Sequence, residues 1–147
     1  MRLEVIDMIT KTGIHALRAV SMMTKLPDGT FAGAVDIAKE IGAPHNYLGK
    51  LLKLLADEGL LLSQKGKGGG FRLARDPSKI SLYEVMEPIE HVSRWTNCLL
   101  GHGPCSAQTP CVLHGRWGKV RDAYLQFLRE TTVADVSIQG AAPICTL

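Results

Sequence analysis

Cys98, Cys105 and Cys111 lie within fourteen residues, separated by six and five intervening positions, and His114 follows the last by three. Thiolate and imidazole are the donors used by tetrahedral zinc and by iron–sulfur clusters, and this spacing admits either. The stretch CLLGHGPCSAQTPCVLH carries Gly101, Gly103, Pro104 and Pro110, which disfavour helix and strand and leave the backbone free to turn its thiols inward. A helix starting at Val112 would put Cys111 at its positive end and His114 on about the same face one turn later. The lack of CxxC pairs argues mildly against structural zinc, whereas a thiol redox switch needs only the cysteines. His102 is expected in solvent, and Cys145, two residues from the last position, is left outside the site. A thiol enzyme built on Cys105 or Cys111 with His102 or His114 as base would need a substrate pocket and oxyanion donors. Neither is legible, so no enzymatic activity is expected.

Upstream, hydrophobic periodicity divides the chain. From Thr10 to about Lys25, Ile14, Leu17, Val20 and Met23 recur at helical spacing, and Pro27-Asp28-Gly29 then gives a turn. Ala34 to Ile41 reads as a short helix stopped by Gly42. A second helix follows at Pro44, with Tyr47, Leu48, Leu51, Leu52, Leu54 and Leu55 on its apolar face and Gly59 at its end. Two helices joined by so few residues have the form of a helix-turn-helix. Leu60 to Gln64 and Phe71 to Ala74 read as strands around KGKGGG, a basic hairpin in the place of a wing. The GxxxxGK[ST] spacing of a nucleotide loop is missing there. Ser81 and Glu84 form a capping-box pattern, starting a helix expected to end near Pro88.

The fold class expected is therefore mainly α with a small β-hairpin wing: a winged helix-turn-helix plus a long C-terminal dimerisation helix. Leu113, Trp117, Val120, Tyr124 and Phe127 step by four and three, the seam of a helix that packs on another helix. The expected organisation is a DNA-binding domain over 1–90, a cysteine loop over 91–111, a dimerisation helix region over 112–136 and a tail over 137–147. A winged helix this small gains specificity by reading two half-sites as a homodimer.

The charge pattern points to double-stranded DNA as partner. The 147 residues carry a net charge of +3, but residues 44–75 hold six Lys/Arg against two acids, leaving the remainder slightly negative. His45, Asn46 and Lys50, early in the second helix, are candidates for base edges, with Lys53, Lys65, Lys67 and Arg72 on phosphate or in the minor groove. No run of about 18 apolar residues and no signal peptide is visible, so no membrane is expected and the cytoplasm is the expected location.

The sequence IAKEIGAPHNYLGKLLKLLADEGLL, the wing KGKGGGFRLAR and the three-cysteine loop together resemble the Rrf2 family of winged helix-turn-helix transcriptional regulators, over roughly residues 1–136. Within it, PCVLHGRW is similar to the iron–sulfur-cluster-regulator branch in its last cysteine, histidine and tryptophan. The resemblance implies Cys98, Cys105, Cys111 and His114 as ligands of an iron–sulfur cluster, 2Fe-2S or 4Fe-4S, whose binding or loss changes promoter affinity or choice. Two departures stand out: the interval from Cys98 to Cys105 is one residue longer than usual, and Gly49 replaces a glutamate of the recognition helix, so the target sequence should differ.

Overall fold

The computed structural model describes residues 9–101 and 103–137; His102 and Cys145 lie outside the described residues. The expected α class with a two-stranded wing is the architecture found. Helix α1 spans Lys11–Met23, begins where the Thr10 hydroxyl accepts from the Gly13 N–H, and buries Ala16, Ala19, Val20 and Met23. Helices α2 (Ala34–Ile41) and α3 (His45–Asp57) form the helix-turn-helix, and Gly42 turns the chain between them. Leu48, Leu52 and Leu55 of α3 are wholly buried, each contributing ~1.5–3 kcal/mol by leaving water. Leu54, read as part of that face, is instead 37% exposed: the buried stripe is narrower than the apolar sequence.

Strands β1 (Leu61–Gln64) and β2 (Gly70–Leu73) pair antiparallel, with Leu61 opposite Leu73 and Gln64 opposite Gly70. Phe71 also exchanges backbone hydrogen bonds with Ala32, at 2.8 and 3.0 Å, which seats the wing against the segment before α2. Gly70 has φ of +137°, and a β-carbon there would overlap the Ala32 carbonyl; glycine is the residue that permits this approach.

Helix α4 covers Leu82–Glu90 and starts with the Ser81/Glu84 capping box in full. It ends two residues beyond the Pro88 at which the sequence places its end. Pro88 sits inside it, and the last turn is held by Glu90, a buried carboxylate that accepts from both the N–H and the hydroxyl of Thr10. The tertiary contact outweighs the one hydrogen bond that proline removes.

Helix α5 runs from His114 to Glu130, two residues later than the expected start at Val112. The short helix α6 (Val133–Val136) then returns to the winged domain: Val133 is fully buried and its N–H donates to the Ile80 carbonyl at 2.9 Å. Residues 131–136 thus pack on α1 and on the turn at Pro77–Lys79. A second, smaller core of Leu82, Met86, Val92, Tyr124 and Leu128 joins α4 to α5.

Candidate metal centre and nucleic-acid interface

The cysteine loop leaves a short 3-10 helix at Val92–Thr96. Its first half is a narrow turn with backbone order. Asn97 bridges to Pro104, the Cys98 N–H donates to the Gly103 carbonyl at 2.7 Å, and the Cys105 N–H donates to the Thr96 carbonyl at 3.0 Å. These bonds place Cys98 and Cys105 on the same small ladder, an arrangement the Gly/Pro content alone does not specify. Cys111 precedes α5, and its carbonyl accepts from the His114 N–H at 3.0 Å, so the turn into the helix brings both residues to the loop.

Cys98, Cys105, Cys111 and His114 line a single cavity of about 420 Å³. Within it they stand as two pairs. The sulfurs of Cys98 and Cys111 are 3.5 Å apart, and the Cys105 sulfur is 3.2 Å from Nδ1 of His114. Among the described residues no three His, Cys, Asp or Glu side chains close on a single ion. Cys98 is buried, and Cys105 and Cys111 are half-buried. Two consequences follow: the cavity is reachable, and its donors are grouped two and two.

Aromatic side chains tie this site to α5. Trp117 donates from its indole N–H to the Asn97 carbonyl at 3.0 Å, stacks on Trp95 with ring centroids 5.5 Å apart, and Trp95 in turn lies 4.7 Å from the Tyr124 ring. The apolar seam read from the sequence divides between two surfaces. Tyr124 is buried in the molecule's own core, whereas Val120 and Phe127 are 54% and 51% exposed. The sequence reading missed Arg121, whose side chain is 16% exposed and ion-paired to Asp122 at 2.8 Å. That pairing holds the Asp122 carboxyl below the usual carboxylate range. The only signal available in the sequence was the i+7 spacing from His114, which is too common to single out an arginine.

At the other end of the molecule, His45, Asn46 and Lys50 are exposed on α3, and Lys65 and Lys67 are exposed on the wing. Lys53 is exposed and within 3.4 Å of Asp57, an i,i+4 pair worth little in water. Arg72 is only half-exposed: its guanidinium lies 5.0 Å over the Phe31 ring, and its Nε is buried with no partner. Phe31 therefore acts as the platform that aims Arg72, a role no sequence pattern marked. Tyr47 is half-buried against the core, edge-on to His15 at 5.7 Å.

The profile of the Rrf2 family, described as an iron-dependent transcriptional regulator, matches residues 9–138. The chain belongs to the Rrf2 family. The HTH-type transcriptional regulator IscR of Escherichia coli is 31% identical over 121 residues, spanning 80% of this chain and 74% of that protein. Among solved structures, CymR of B. subtilis, titled the global cysteine regulator, superposes with a TM-score of 0.74 at 21% identity, covering 90% of this chain and 97% of that one. IscR of T. potens gives a TM-score of 0.68 at 23% identity, covering 86% and 83%. These likenesses establish an Rrf2-type winged helix, and the family relationship makes this chain a DNA-binding transcriptional regulator rather than an enzyme. No described helix is long and apolar enough to cross a membrane.

Proposed function

We propose that this regulator acts as a cytoplasmic homodimer whose binding to promoter DNA is governed by an iron–sulfur cluster held by Cys98, Cys105, Cys111 and His114. The observation that carries the reading is the grouping of these four donors, two and two, around one cavity. Two pairs match the four ligands of a 2Fe-2S cluster, two on each iron, better than one tetrahedral zinc, for which three or four donors must share a centre. Once bound, such a cluster supplies a charge and a crosslink that depend on iron supply and redox state.

The rest is work for the chain's own residues. Cys98 and Cys105 fix the turn of the loop, while Cys111 and His114 fix the entry to α5. The Trp117 indole holds the Asn97 carbonyl, so a change in the loop bears directly on α5. Val120 and Phe127 on the outer side of α5 seat a second copy, and the angle of α5 sets the distance between the two recognition helices. Occupancy of the site then shifts the population between a spacing that fits two half-sites and one that does not. On each half-site His45, Asn46 and Lys50 meet base edges, while Lys53, Lys65, Lys67 and Arg72 meet phosphate or the minor groove.

A second reading rests on the 3.5 Å between the Cys98 and Cys111 sulfurs. In the metal-free chain these two thiols can lose two protons and two electrons to a disulfide or hydroperoxide oxidant and close an S–S bond, making the same loop a thiol switch.

The deciding experiment is purification without oxygen, followed by visible absorption with iron and sulfide analysis, for the wild type and Cys105→Ala. Broad cysteine-dependent bands with stoichiometric iron and sulfide support the cluster. Colourless protein after anaerobic reconstitution, with zinc or no metal, moves the assignment to zinc or the thiol switch.

A further inference from the structure

We propose that the outer face of α5 pairs antiparallel with the same face of a second copy, crossing at Ala123, so that Arg116 and Lys119 of each chain meet Glu130 of the other. This rests on the homodimer reading above and adds its direction and register. The exposed residues of α5 recur at intervals of three and four from Arg116 to Glu130, which gathers them on one stripe of the helix. Tyr124, Leu125 and Leu128, on the other side, are buried in the chain itself. Ala123 is the centre of the stripe. Arg116 stands seven residues before it and Glu130 seven after, Lys119 four before and Phe127 four after, Val120 three before and Gln126 three after.

Charge decides the direction. The stripe is cationic at its start, with Arg116 and Lys119, and anionic at its end, where the Glu130 carboxylate accepts from the Gln126 amide at 2.8 Å. Among the described residues neither Arg116 nor Lys119 has an ion-pair partner in its own chain. A parallel pair would set each of these charges against its own copy. The antiparallel pair sets each cationic end against an anionic one, and twofold symmetry makes the contact twice. The same register brings Val120, 54% exposed, to Phe127 of the second copy, 51% exposed, along one flank. On the other flank Lys119 lies beside Gln126 and Glu130 of that copy. Alanine at the crossing lets the two backbones come close, and a shallow crossing of about 20° keeps side chains two turns away within reach.

The test is sedimentation velocity on the full chain as wild type, Arg116→Glu/Lys119→Glu, Glu130→Lys, and the triple variant that combines them. Antiparallel pairing predicts that each partial variant raises the dimer dissociation constant about tenfold, since attraction becomes repulsion at both ends of the contact. The triple variant should return to near the wild-type value, and the losses should shrink at high salt, where exposed charges are screened. In a parallel pair the same reversals leave like charges facing like. Unchanged dissociation constants in both partial variants therefore overturn the proposal, as does a triple variant no tighter than they are. A second measurement mixes Val120→Cys and Phe127→Cys chains, oxidises them with glutathione disulfide and maps the linked peptides. Bonds between positions 120 and 127 are expected, and bonds mainly from 120 to 120 overturn the register. A wild type that stays monomeric removes the homodimer reading together with this proposal, whereas a dimer indifferent to the reversals removes only the register.

Discussion

Glu90 accepts two hydrogen bonds from Thr10, from its backbone N–H and its hydroxyl, each at 2.6 Å, across eighty positions of sequence. The pair joins the start of α1 to the end of α4, directly before the segment that leads into the cysteine loop. Glu90→Ala leaves the capped helix start without its acceptor and should cost ~2–3 kcal/mol, measured by chemical unfolding. Gly13→Ala should cost a similar ~1–3 kcal/mol, because its β-carbon would overlap the Glu90 carboxylate and the Met86 methyl. A wild-type midpoint in both variants would remove this pair from the account of stability.

Val120 and Phe127 are both more than half exposed on α5. Phe127→Glu or Val120→Glu should therefore leave the fold of one chain intact and shift the protein from dimer to monomer in sedimentation velocity. DNA binding should fall in parallel, since a monomer reads one half-site. A dimer unchanged in both variants would place the interface elsewhere.

Lys67 is exposed in the loop of the wing. Lys67→Glu should weaken binding to all sequences alike and flatten the slope of log affinity against log salt by about one unit or more. Asn46→Ala should instead narrow the gap between preferred and altered operators, by ~1–3 kcal/mol at the position it reads. If Asn46→Ala lowers affinity uniformly, the residue contacts backbone rather than bases.

His15 is held below its ordinary value of 6.5 by burial first, then by the neighbouring Arg18 and Lys11 charges. Its neutral form is the one the fold favours, and the unfolded chain binds the proton more readily. Stability from this site is full above about pH 6.5 and is lost as pH falls from there toward the folded-state value. His15→Phe should flatten the stability profile in that window, read as thermal midpoints between pH 5 and 8; a slope equal to wild type would assign the acid sensitivity to another group.

Much of the DNA-binding half was legible beforehand because its signals are local. Helical periodicity, Gly42, the Ser81/Glu84 capping box and the alternation around KGKGGG each act within a few residues, and α2 spans the residues expected of it. Local rules misplaced the ends of two helices. Pro88 should stop α4, but Glu90 is drawn inward by Thr10, eighty residues away. Val112 should start α5, but it is 92% exposed in a turn that presents Cys111 to the cavity.

The residue types available for the chemistry are readable along the chain: three thiols, an imidazole and a cluster of cations around one helix and hairpin. Their grouping is a property of the folded chain. Pairing Cys98 with Cys111 and Cys105 with His114, and aiming Arg72 across Phe31, both depend on where the backbone returns in space. Spacing along a chain limits which donors can meet. Packing of α5 on α4 and the bonds of the loop ladder select which ones do.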